Sequence, residues 1–409
     1  MEFLTVESVE TAREKLLSHT KDWLVKKETV SLRIALGRIL AEDVTAPEDI
    51  PAFRRSTVDG YAVISSDTAA AGENIPVFFT VKDKIKIGQF VSSTINHGEC
   101  ADIPTGGMLP SGADAVVMAE YSELFGVDGV AIHNSAANGE NTVQIGEDAK
   151  AGDLLIKKGK RLLPQDIGAL AAAGITAVSV FAALRIAVIS TGDELVSTEK
   201  TPSIGQVRDI NTHALTALAE KTGFFVTETH VLTDDENILE QTLLSAMKTS
   251  DIVAVSGGSS QGAKDMTKSV IDRVASPGVF THGLAVKPGK PTILGYDKFS
   301  KTLLAGLPGH PVSAMIVFEL MFGWLMREIT GTLKAHAIPA QLSVNVASSP
   351  GKLTCFPVKL KWTGDQYSAE PVFGKSGLIT TLTNADGYFT VDRETEGLQS
   401  GRTVLVHLF

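Results

Sequence analysis

The sequence predicts a multidomain chain of α/β and β units. Three observations predict it. From Arg185 to Lys290, short apolar runs alternate with amphipathic stretches, the pattern of a parallel sheet with helices on both faces. At the centre of that region, Asp251–Lys268 (DIVAVSGGSSQGAKDMTK) reads as strand, glycine turn and helix. In 50–139 and again after Gly331, short apolar pieces are broken by Gly, Pro and Asn, as in small β-rich domains. With 409 residues, 44% of them hydrophobic, the chain can fill several cores, roughly two to four domains.

The central stretch justifies itself residue by residue. Ile252–Val255 is an apolar, β-branched run suited to a strand buried on both faces. Ser256 to Gly262 holds three glycines and three serines. Those residues cannot continue a strand, and their backbone N–H groups can turn toward a ligand. Asp265 to Val274 then reads as a helix with Val270, Ile271 and Val274 on one face. The loop is not a P-loop, because Ala263-Lys264 stand where Gly-Lys-Ser/Thr would be needed. The dinucleotide pattern G-x-G-x-x-G is also absent.

Bulk composition narrows the partners. A net charge of −10 and an isoelectric point near 5.4 argue against nucleic acid and anionic membranes. Cys100 and Cys355 are the only cysteines, too few for a disulfide framework or a cysteine zinc site. No apolar run reaches the roughly 18 residues of a membrane span, and no signal peptide is read at the N-terminus. The expected compartment is the cytoplasm.

In chain order, Thr5–Leu17 reads as an amphipathic helix with Val9, Ala12 and Leu16 on one face, and Val30–Ala41 as a second helix capped near Ser31. The β-rich texture of 50–139 follows, then a glycine-punctuated stretch and a helix at Pro164–Ala173 closed by Gly174. In the α/β region, Ile186–Ile189, Phe224–Leu232 and Ile252–Val255 read as strands, and Asn211–Lys221 and Asp235–Thr249 as helices. Two more strand candidates lie in Pro291–Leu304, ahead of a helix at Val312–Met326. Leu342–Val346, Thr354–Lys361, Gly387–Val391 and Thr403–Leu408 are strand candidates of a terminal all-β domain.

Three loops fall at the C-terminal ends of α/β strands, where open sheets bind ligands: 190–194, 256–265 and 306–311. They offer backbone donors for phosphate or oxyanion, and carboxylates for a divalent cation. Glu194 and Asp265 are the expected metal ligands, unless they act only as helix N-terminal acids. Lys287 and Lys290, in VKPGKP, supply the local positive charge that the acidic whole lacks.

These residues carry a resemblance. STVDGYA (56–62), PTGGMLP (104–110), GED (146–148), STGDEL (190–195), GQVRDIN (205–211), SGGSSQGAKDMTK (256–268), VKPGKP (286–291) and GLPGHPVS (306–313) are collinear and span nearly the whole chain. Together the chain resembles the molybdopterin molybdenumtransferase family of molybdenum-cofactor synthesis, to which the C-terminal half of gephyrin is related. The resemblance implies an elongated four-domain protomer. An extended helical domain would comprise 1–45 with 140–180, a β-rich domain 46–139 would be inserted in it, and an α/β molybdopterin-nucleotide-binding domain (181–330) and a C-terminal β-barrel (331–409) would follow. It implies a homodimer with a shared active site, in which Asp59, Thr105 and Asp148 of one subunit face Glu194 and Asp265 of the other. Those five are the implied catalytic residues, with Glu194 and Asp265 holding Mg2+. Ser190, Thr191, Gly192, Asp209, Asn211, Ser256, Gly257, Gly258, Gly262, Lys264, Lys268, Lys287, Lys290, Pro308, Gly309, His310 and Pro311 are the implied substrate-binding residues.

The implied reaction converts adenylylated molybdopterin and molybdate to molybdenum cofactor, AMP and water, with molybdopterin adenylyltransferase as the donor of substrate. The sequence departs from the family pattern in four places, one of them Val58 where Met is frequent. No arginine precedes Gly146 in Thr142–Ile145, His310 replaces the usual Asn, and Arg54 and Arg55 precede the Asp59 loop. Alternatives are an adenylyltransferase sharing the α/β domain, a molybdopterin-binding scaffold without turnover, and a paralogue specialised for tungstate.

Overall fold

The computed structural model describes residues 6–21, 23, 26–257, 261–332 and 337–409, with 261–265 described by backbone alone. Its centre is a six-stranded sheet in the order 225–232, 185–191, 252–257, 302–307, 293–297, 277–282. The first four strands are parallel, and Ile293–Asp297 runs antiparallel to both of its neighbours. The two strand candidates in Pro291–Leu304 therefore form a hairpin, which gives the expected parallel sheet an antiparallel edge.

Both faces of the sheet are covered. Ile186, Val188, Ile252 and Ala254 point into one core with the Asn211–Thr222 and Pro311–Phe318 helices. Ala187, Ile189, Val253 and Val255 point into the other with Glu236–Thr249 and the Gln261–Val274 helix. Successive strand side chains alternate in direction, so a run apolar at every position fits only a strand sandwiched between helices. The helix ends follow their local chemistry. Asp235 caps its helix by accepting from the N–H groups of Asn237 and Ile238. Gly223, at φ +107°, ends Asn211–Thr222 in the left-handed conformation that glycine adopts without strain.

The first helix, Val9–Thr20, is capped by Ser8 and buries Val9, Ala12 and Leu16 in the core of the first sheet face. Arg13 holds it there by donating to the Leu320 carbonyl at 2.6 and 3.0 Å. That carbonyl lies in the π-helical turn Glu319–Gly323, which joins Pro311–Phe318 to Trp324–Thr330. Among the described residues no helix is long and apolar enough to cross a membrane.

The helix expected at Val30–Ala41 is not formed. Lys27–Ser31 is a strand, paired antiparallel with Ala177–Phe181, and a single 3-10 turn, Leu32–Ile34, follows. Val30, Ala35 and Leu40 are buried, but Ile34 is 62% and Leu36 57% exposed, so the apolar run has no continuous helical face to bury. Two-stranded pairings likewise dominate the rest of 27–45 and 140–180, where Pro164–Ala172 is the one α-helix among the described residues. This corrects the expectation of a helical unit there.

The inserted β-rich segment forms a six-stranded sheet ordered 115–118, 60–63, 99–103, 77–84, 129–132, 122–125. Glycine is required at 60, because a Cβ there would collide with the Val117 carbonyl oxygen. At the C-terminus, strands 353–362, 367–371, 338–342, 403–408 and 387–391 pair in that order, and the last pairs back onto the first, closing a five-stranded barrel. Val286–Lys287 adds in parallel beside Leu353 and Thr354, tying the barrel to the α/β unit.

Candidate active site

Two clefts meet at the C-terminal edge of the central sheet. The smaller, about 370 Å³, is lined by Thr191, Glu194, Asp209, Asn211, Ser256 and Gly257 together with Gly309, His310 and Pro311. Its floor is cross-braced. Asn211 Nδ2 donates to Ser256 Oγ at 2.8 Å and to the Gly309 carbonyl at 2.7 Å, and Ser256 Oγ donates to the Pro308 carbonyl at 3.1 Å. Ser190 lies beneath, its hydroxyl 2.7 Å from Thr212 Oγ1. Asp209 Oδ1 accepts from the Thr212 N–H at the start of the helix.

Among the described residues, two buried polar atoms in this cleft have no hydrogen-bond partner, Asn211 Oδ1 and Thr191 Oγ1. Buried polar groups are nearly always satisfied, so such orphans at a cleft floor mark a place for a polar ligand. Carboxylates gather on one side. Asp193 Oδ1 accepts from the Asp234 N–H at 3.1 Å. Burial pushes the Asp234 carboxyl above its usual range; Asp193 and Glu194 add to this, and nearby Thr191, outside hydrogen-bond geometry, opposes it. A divalent cation relieves like-charge crowding of this kind. Among the described residues no three His, Cys, Asp or Glu side chains converge as metal ligands. Glu194 precedes the short strand Leu195–Val196 and no helix, so its carboxylate has no helix dipole to serve.

The larger cleft, about 760 Å³, lies between the α/β unit and the barrel. Among the described residues Lys287, Lys290, Lys352 and His310 line it, and no carboxylate does. In a chain of net charge −10 this is a local reversal of sign, as an oxyanion or phosphate requires. Lys287 Nζ is held by Ser349 Oγ at 2.9 Å. Gly309 and His310 line both clefts.

The expected residues divide as follows. Thr191, Glu194, Asp209, Asn211, Ser256 and Gly257 come together in the smaller cleft, and Lys287, Lys290 and Pro308 in the larger. Ser190 lies beneath the floor against Thr212, and Gly192 lines neither cleft. Lys268 pairs with Asp272 at 3.5 Å and lines neither cleft. Gly258 lies outside the described residues. Gly262, Lys264 and Asp265 fall in the Gln261–Val274 helix, their side chains outside the description. Asp59, Thr105 and Asp148 belong to the inserted sheet and the segment beside it, and line neither cleft. Register explains how the first two meet. Gly60 pairs with Ile103, which brings the preceding Asp59 beside the following Thr105. Asp193, Asp234, Lys352 and Ser376 escaped the sequence reading, because no motif contains the last three and Asp193 has no signal apart from its neighbours.

Comparison with known proteins fits this geometry. A molybdopterin molybdenumtransferase of Haemophilus influenzae is 30% identical over 408 residues, covering 98% of each chain. The chain belongs to the molybdopterin molybdenumtransferase family. The family member from Bacillus subtilis is 31% identical, covering 93% of this chain and 89% of its own. Family models match in three blocks: "MoeA N-terminal region (domain I and II)" over 7–174, "Probable molybdopterin binding domain" over 187–327 and "MoeA C-terminal region (domain IV)" over 339–409. A crystal structure of a molybdopterin biosynthesis MoeA protein from Pyrococcus horikoshii superposes with a TM-score of 0.83 at 29% identity, covering 99% of this chain and 100% of that one.

Proposed function

We propose that this transferase inserts molybdenum in molybdenum-cofactor synthesis, transferring molybdate to adenylylated molybdopterin with release of AMP. The observation that carries the reading is the pair of adjoining clefts. One has carboxylates and unpaired buried polar atoms, the other lysines and no carboxylate, and Gly309 and His310 belong to both. A substrate with a nucleotide at one end and an oxyanion acceptor at the other needs two such environments side by side.

In this reading Asp209 and Asn211 orient the nucleotide over the braced floor, and the Ser256–Gly257 backbone approaches its phosphates. Lys287 and Lys290 hold molybdate and neutralise charge as one of its oxygens attacks phosphorus, so no side chain need act as nucleophile. Glu194 and Asp265 would hold Mg2+, which polarises the phosphoanhydride when bound. Asp59, Thr105 and Asp148 act from the partner subunit of a homodimer. Molybdopterin adenylyltransferase is the donor of substrate, and the reaction runs in the cytoplasm without nucleic acid.

The test is incubation of the purified protein with adenylylated molybdopterin, molybdate and magnesium. AMP release that requires the oxyanion is expected, and tungstate in a parallel reaction reports the metal preference. Tight binding without AMP release would replace the insertase by a molybdopterin-binding scaffold.

A further inference from the structure

The lysine cleft is much larger than its cations require. At about 760 Å³ it has the size of a site for a drug-sized molecule, and a tetrahedral oxyanion fills only a corner of it. Away from Lys287, Lys290 and Lys352, much of the wall is apolar: Val286, Val312, Phe356, Pro357 and Phe373 belong to it. An anion has no use for such a wall. A flat organic group does, because burying its faces releases water from apolar surface.

The two aromatic rings in that wall differ in what they have left to offer. Phe356 is stacked on Phe389 of the barrel core, with ring centroids 5.2 Å apart and planes 19° from parallel. Phe373 is 69% exposed, and among the described residues it meets no other ring. Its backbone is anchored on both sides. The Val372 N–H donates to the Pro357 carbonyl at 2.8 Å, and the Ser376 carbonyl accepts from the Val312 N–H at 3.2 Å. Between them, Gly374 lies so close to Thr381 that an added Cβ would stand 2.3 Å from Oγ1. Phe90 and Phe299 are still more exposed, but they line neither cleft. Phe373 thus presents an unused aromatic face inside the cleft that also carries the cations.

We infer that Phe373 stacks on the pterin ring of the substrate and is a specificity-determining residue of the transfer. The inference rests on reading the protein as an insertase of adenylylated molybdopterin. That substrate has two flat ring systems, and the smaller cleft takes the nucleotide with its adenine. The pterin is the one left for the lysine cleft. Gly309 and His310 line both clefts, so the phosphoanhydride that links the two ends crosses there. The oxyanion beside Lys287 and Lys290 then shares a cleft with the group that is to receive its metal.

The experiment is titration of the full chain with 6-hydroxymethylpterin, sodium molybdate and AMP, each separately, using Phe373→Ala, Phe373→Leu and Phe373→Trp. Pterin affinity should fall by about 5- to 100-fold in Phe373→Ala, the worth of one stacked heterocycle. Phe373→Leu, apolar but without a π face, should restore only part of it. Phe373→Trp should bind within about twofold of the wild type, with a tryptophan fluorescence change on binding that the wild type lacks. Molybdate and AMP should stay within about twofold in all three variants, since Phe373 is exposed and pairs with no other ring. A loss shared by all three ligands would make Phe373 structural and overturn the inference, as would wild-type affinity in Phe373→Leu. A loss confined to AMP would place the adenine here and overturn it too, as would a wild type that binds no pterin. Turnover separates the inference from the function on which it rests. With adenylylated molybdopterin and molybdate, Phe373→Ala should raise KM and leave kcat nearly unchanged. Unchanged KM overturns the stacking while the insertase stands. If no AMP is released but the pterin titrations come out as expected, the insertase reading fails and the pterin site stands.

Discussion

Asp59 accepts two hydrogen bonds from Thr105, one from the backbone N–H at 2.6 Å and one from Oγ1 at 3.0 Å. The backbone bond, then the hydroxyl, hold its carboxyl below the usual range. Thr105→Ala keeps the backbone donor and removes the other, so the Asp59 pKa should rise part of the way toward its ordinary value. A depressed carboxylate contributes stability above its unfolded pKa and loses it as pH falls through the folded value. In the variant that loss should therefore be smaller and be complete at higher pH. Carboxyl NMR titration checks it, and an identical Asp59 curve in both proteins would refute the assignment.

Asp234 shows the opposite sign, raised by burial first and then by Asp193 and Glu194. A raised carboxyl contributes stability that is full below the unfolded pKa and is lost as pH rises through the folded one. Asp193→Asn keeps the acceptor for the Asp234 N–H but removes a charge. The variant should melt higher than the wild type at pH 7, and the difference should shrink as pH falls through the folded pKa of Asp234. A difference independent of pH would count against the carboxylate crowding.

Asn211 links Ser256, in the strand 252–257, to the Gly309 carbonyl. Asn211→Ala removes two hydrogen bonds and should cost about 1–3 kcal/mol by urea unfolding. It should also abolish AMP release, because the brace shapes the cleft. Normal turnover in a measurably destabilised protein would separate the two roles and reject the second.

Gly257 pairs in register with Thr191, and a Cβ added there would lie 2.5 Å from the Thr191 carbonyl oxygen and collide with Oγ1. Gly257→Ala should destabilise by about 1–3 kcal/mol, as overpacking does. Gly168→Ala, in the Pro164–Ala172 helix with nothing within 4 Å, should be neutral or stabilise by about 0.5–1 kcal/mol. Matched thermal melts decide, and equal effects at the two positions would exclude steric closeness as the cause.

The shared site of the proposed homodimer is open to complementation. Asp59→Ala and Asp265→Ala should each be inactive, and mixing them should restore part of the activity, because one site of the mixed dimer carries neither change. Demonstrated subunit exchange without recovery would put each site within one chain.

Much of the α/β unit was legible in the residues alone. Ile186–Ile189 and Ile252–Val255 are apolar at every position, which only a strand covered on both faces can satisfy. Asp235, Gly223 and Gly331 mark helix ends through side-chain capping or a left-handed backbone, properties local to one residue. Glycine loops after strands pointed to the sheet edge where Thr191, Ser256 and Gly309 meet.

What the sequence by itself determined is therefore whatever depends on neighbours along the chain: strand character, helix ends, the glycine turns and the family motifs. Tertiary structure decided the rest. Val30 lies in a strand because Val178, far along the chain, supplies its partner, and partner supply outweighs weak helix propensity. Ile293–Asp297 turns antiparallel because it forms a hairpin with the strand that follows. Asp193 meets Asp234, and His310 meets Ser376, across gaps that no motif spans. Hydrogen bonds and charge coupling act over a few ångströms in space, whatever the separation in sequence.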